Sequence, residues 1–91
     1  MTFKEIRKEF LNSGLSLIDV VVADEVYYQF TYVPSSMYEK ACGLVKETYL
    51  KCEFIDIQAL AIALYNLVFE KDKKLEEITK RELVEEASQL F

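Results

Sequence analysis

Ninety-one residues with net charge −5 and no histidine read as one small acidic domain, 1–91, without the commonest catalytic base or the commonest zinc ligand. Eleven cations are spread among sixteen anions with no basic stripe, which argues against direct nucleic-acid binding, because phosphate neutralisation supplies most of that affinity. Two glycines and one proline leave no glycine-rich phosphate loop.

Size scaling allows roughly 5,500 Å² of folded surface against about 15,000 Å² unfolded, enough to bury one modest core. Cys42 and Cys52 fall in one expected helix, about 15 Å apart along its axis, too far for a disulfide. Without histidine or a C-x-x-C pair they make no zinc site, and they read as buried thiols of a reducing compartment. The stretch MTFKEIRKEF mixes charged and apolar residues, unlike a signal peptide. The longest apolar run, Ile57 to Phe69, is too short to span a bilayer. The expected location is the cytoplasm, with no membrane contact and no cofactor.

In chain order, Thr2 and Glu5 form a capping box, and Phe3, Ile6 and Phe10 follow at helical spacing. A short amphipathic helix is expected over 3–12, stopped at Asn12-Ser13-Gly14. The span SLIDVVVADEVYYQFTYVP is rich in β-branched and aromatic residues and predicts a β-hairpin turning at Ala23-Asp24-Glu25. That register puts Ile18, Val20, Val22, Val26, Tyr28, Phe30 and Tyr32 on an inner face, and Leu17, Asp19, Val21, Tyr27, Gln29 and Thr31 on an outer one. The loop lacks the Gly or Asn that such turns prefer. The alternative is a helix capped by Ser16 that runs from Leu17 toward Tyr28.

Pro34 ends this span, and Ser36-Met37-Tyr38-Glu39 is a second capping box. The helix it opens should bury Met37, Ala41, Leu44, Val45, Thr48 and Cys52, with Lys40, Glu47 and Lys51 wet and Glu47 pairing with Lys51. Gly43 inside it suggests close approach of another backbone. Asp56 should cap the next helix, IQALAIALYNLVF, which is apolar nearly all round and so belongs at the centre, with Gln58 and Asn66 as its exposed edge. EKDKK is a charged connector. The apolar stripe of Leu75 and Ile78 does not continue, so the helix must restart at the Thr79–Glu82 capping box. The expected fold is α+β: an N-terminal helix, a hairpin, then three helices. An all-α domain of five helices is the alternative.

Chemistry-bearing constellations are sparse. The span 71–82 resembles a calcium-binding EF-hand loop only at Ile78 and Glu82, with Lys71, Lys73 and Leu75 where oxygen ligands belong, so no calcium site is expected. Glu76/Glu77 and Glu85/Glu86 are helix neighbours about 100° apart and cannot share a substrate. The serines have no histidine base, and no enzyme is expected.

These readings predict a small non-catalytic protein-binding module, of the inhibitor, adaptor or regulator kind. It would self-associate as a dimer by strand pairing at the tyrosine-rich hairpin and meet its partner protein through Asp19, Val21, Tyr27 and Gln29. One alternative is an acidic mimic that fills a nucleic-acid site, for example on a mobile-element or defence nuclease. Its face would be Asp24, Glu25, Glu76, Glu77, Glu82, Glu85 and Glu86. Another is a small-ligand binder with pockets between subunits.

Overall fold

The structure, a computed structural model, describes residues 16–52 and 55–90 together with Glu5, Lys8, Glu9 and Asn12. Its main elements are α1 (Leu17–Gln29), α2 (Ser35–Lys51), α3 (Ile57–Tyr65) and α4 (Lys80–Ser88). A π-helical turn, Asn66–Glu70, extends α3, and a 3₁₀ turn, Leu75–Glu77, precedes α4. No strand occurs among the described residues, so the domain is all-helical and the α+β expectation is corrected. Most of the helix expected over 3–12, with its Thr2–Glu5 box, lies outside the described residues.

The hairpin is replaced by α1, which starts at a reciprocal cap. Ser16 is extended at φ −68° and ψ 158°, and its Oγ accepts the Asp19 N–H at 3.3 Å. The Asp19 carboxylate in turn accepts the Ser16 N–H at 3.3 Å and hydroxyl at 2.6 Å. Such a reciprocal cap stabilises a helix by about 1 kcal/mol and offsets part of the weak helix propensity of the valines. Ile18, Val22, Val26 and Phe30 recur every four residues, a spacing that fits one strand face and one helix stripe equally. Val22, Val26 and Phe30 are indeed buried. Tyr28 and Tyr32 separate the two readings: a strand turns them inward with Phe30, whereas here they are 69% and 99% exposed.

Two contacts lock α1 to α2. The Tyr38 hydroxyl donates to the Ala23 carbonyl at 2.7 Å, and Lys46 pairs with Asp19. α2 begins one residue before Ser36, with Pro34 at its N-cap and no side-chain cap bond, so the Ser36–Glu39 box is not formed. Ala41, Val45 and Thr48 are buried as expected, and Met37, Leu44 and Cys52 are half-buried. Glu47 reaches Lys80 at 3.3 Å, across to α4. A Cβ added at Gly43 would meet nothing within 4 Å, so no close approach requires this glycine.

α3 is the hub and packs against α1, α2 and α4. Asp56 caps it by accepting the Gln58 N–H at 3.3 Å. Its Ala59, Leu60, Ala61, Ala63 and Leu64 are all buried, the outcome expected of a helix with almost no wet face. The π turn closes when the Lys71 N–H donates to the Asn66 carbonyl at 2.9 Å. Asp72 then takes a left-handed φ of 53°, and the Lys73 N–H donates back to Leu67 at 2.9 Å. The restart at Thr79 also holds. Thr79 Oγ1 accepts the Glu82 N–H at 3.1 Å, and Glu82 Oε1 accepts the Thr79 N–H at 3.4 Å.

Candidate functional site

The four residues expected on one outer sheet face do not share a face, because the sheet is absent. Successive helical residues turn by about 100°, which sends Asp19 and Val21, and likewise Tyr27 and Gln29, to opposite sides of α1. Asp19 is occupied at the helix start, where the hydrogen bond from Lys46 and then that from Ser16 hold its carboxyl below the usual aspartate range. Val21 is exposed. Tyr27 is half-buried and stacks edge-on against Tyr38, with ring centres 6.4 Å apart at 86°. Gln29 alone lies in a depression, described below.

The seven acidic residues are also dispersed. Asp24 and Glu25 sit on α1; burial, then Asp56 and Asp24, push the Glu25 carboxyl up. The other five belong to the C-terminal third, and four of them have cationic partners. Glu76 meets Lys40 at 3.5 Å, Glu86 meets Lys71 at 2.7 Å, Glu85 meets Arg81 at 3.2 Å, and Glu82 bonds Lys73. Glu77 lies exposed in the 3₁₀ turn.

The structure instead gathers aromatic rings from two distant stretches of the chain. Between the end of α1 and the π turn lies an open groove of about 200 Å³, lined by Gln29, Tyr32, Val33, Tyr65 and Phe69. Behind the lining, Phe30 is 2% exposed and packs 5.9 Å from both Tyr65 and Phe69 between ring centres. Tyr65 and Phe69 face each other at 4.9 Å, tilted by 42°. These are attractive offset geometries, each contributing about 0.5–1.5 kcal/mol beyond burial.

Local structure places each ring. The Phe30 N–H still donates to Val26 at 2.9 Å, which aims its ring along the buried stripe of α1. Thr31 Oγ1 donates to the Tyr27 carbonyl at 2.7 Å and satisfies a terminal acceptor of the helix. The chain then turns toward Pro34 and leaves the Tyr32 ring 99% exposed. On the other wall, Phe69 stands 44% exposed within the π turn, a rare local form that recurs at functional sites. Tyr65 and Phe69 do not stand out in the sequence, since both fall in a run read as uniformly apolar. The charged stretch from Glu70 marks where that run meets water, and it was the available signal for Phe69.

The groove wall carries rings, one valine and one amide, with no carboxylate, amine or thiol. It can stack and hydrogen-bond a guest and offers no acid–base pair. Elsewhere, Cys42 is a free thiol, held up in pKa by burial. Among the described residues no group of acids and cysteines is placed to hold a metal, and no helix is long and apolar enough to cross a membrane. A second depression of about 200 Å³, beside α4, is crossed by the Lys71–Glu86 and Lys73–Glu82 pairs. No protein family, curated protein or solved structure matches this chain.

Proposed function

We propose that the chain is a non-catalytic protein-binding module, of the inhibitor, adaptor or regulator kind, that meets its partner at the groove between α1 and the π turn. The observation that carries this reading is exposed Tyr32 lining one groove with the packed Tyr65–Phe69 pair. Tyrosine offers a large apolar face with a polar tip at small entropic cost, which is why it anchors interfaces. The groove alone is smaller than a stable interface, which buries about 800 Å² per partner. Exposed Tyr28, near the same end of α1, extends the apolar area available to a partner.

Acidic mimicry has less support, since four of its glutamates are engaged by this chain's own lysines and arginine. The test is comparative capture of binding proteins from the native host. Tyr32→Glu should lose a protein that the wild type and Leu50→Glu, a change at an exposed apolar side chain outside the groove, both retain. Identical capture by all three contradicts the reading.

A further inference from the structure

Resting on that reading, the charge around the groove points to what fills it. Residues 16–39 and 55–70 supply all of its lining. Glu25 stands one helical turn before Gln29 on α1, with Asp24 and Asp56 near it, and Glu70 follows Phe69 directly. Lys71, the first cation after the π turn, is drawn to Glu86 at 2.7 Å on α4. Carboxylates thus stand next to residues of both groove walls, in a chain of net charge −5. A ring presents its negative face to a cation placed within about 6 Å of its centre, and a guanidinium also stacks flat on it.

We propose that the groove receives an arginine side chain from a basic segment of another protein. The guanidinium lies against Tyr32 and the Tyr65–Phe69 pair, and the Gln29 amide oxygen accepts one of its N–H groups. Steering comes from the acidic surround, which raises the encounter rate of a basic partner and disfavours a second copy of this acidic chain.

The test is selection of a random-peptide library displayed on phage against the folded wild-type chain, with counter-selection on Tyr32→Ala. That ring is 99% exposed, so the variant should keep the wild-type circular dichroism spectrum. Phe69→Ala serves as a second counter-selection. Enriched peptides should contain arginine. Changing that arginine to leucine in a synthetic copy should weaken binding roughly tenfold, as for a desolvated cation–ring contact. Enrichment of apolar peptides with no basic residue, still lost on Tyr32→Ala, would overturn the arginine assignment and leave the groove as the binding surface. Peptides that bind all three chains equally, or no enrichment at all, would overturn both.

Discussion

Gly43 carries a cost that nothing around it repays. It is exposed in the middle of α2, and a Cβ there meets open space. Gly43→Ala should stabilise the domain by about 1 kcal/mol and raise Tm by roughly 4–8 °C. A fall in Tm by calorimetry would contradict this. Tyr38 is the opposite case, a residue with several tasks. Its hydroxyl bonds Ala23 and its ring meets Tyr27, while burial, then the Cys42 thiol, push its pKa above the ordinary tyrosine range. The neutral phenol is thus the folded form. Its contribution is intact below the unfolded value, near about pH 10, and is lost as pH rises through the folded one. Tyr38→Phe should cost about 1 kcal/mol at neutral pH and flatten the alkaline fall in stability. Urea melts at neutral and alkaline pH check this, and an unchanged alkaline slope would contradict it.

Among the elements, α1 depends most on one short motif. Ser16→Ala removes the acceptor for the Asp19 N–H and should cost about 1 kcal/mol, read as a lower denaturation midpoint. Tyr28→Glu should change stability by less than about 0.5 kcal/mol, as for other exposed sites. A hairpin with Tyr28 turned inward would instead unfold. The caps of α3 and α4 were legible because Asp56 and the Thr79–Glu82 box precede their helices by local rules that packing does not alter. The buried stripe of α2 was legible because Ala41, Val45 and Thr48 recur at a spacing that a helix gathers and a strand divides. α1 was not, because a four-residue repeat obeys strand and helix periods together and β-branched residues tilt the choice. Burial against α3 decided the matter, and burial is not a local property. The meeting of Phe30 with Tyr65 and Phe69 left no mark in the sequence pattern either, since it joins residues 35 and more positions apart. Of the expected contact residues, Gln29 lines the groove, and the rings beside it come from elsewhere.

At the scale of the molecule, charge and ring placement divide the surface. Lysines and glutamates interlock along the connector and α4, while the groove at the ends of α1 and α3 is lined by rings, a valine and an amide. Such surface pairs add little stability, typically about 0–1 kcal/mol each, and their main consequence is to engage the glutamates of α4. All of this requires that α1 be helical and deliver Phe30 against Tyr65 and Phe69 and Tyr32 to the groove. Resonance assignment by NMR tests that requirement most directly. Residues 17–29 should show helical carbon shifts, and the Phe30 ring should give through-space contacts to Tyr65 and Phe69. Extended shifts across 17–22 and 26–29, with Tyr28 and Tyr32 rings contacting the core, would contradict the fold and the binding surface together.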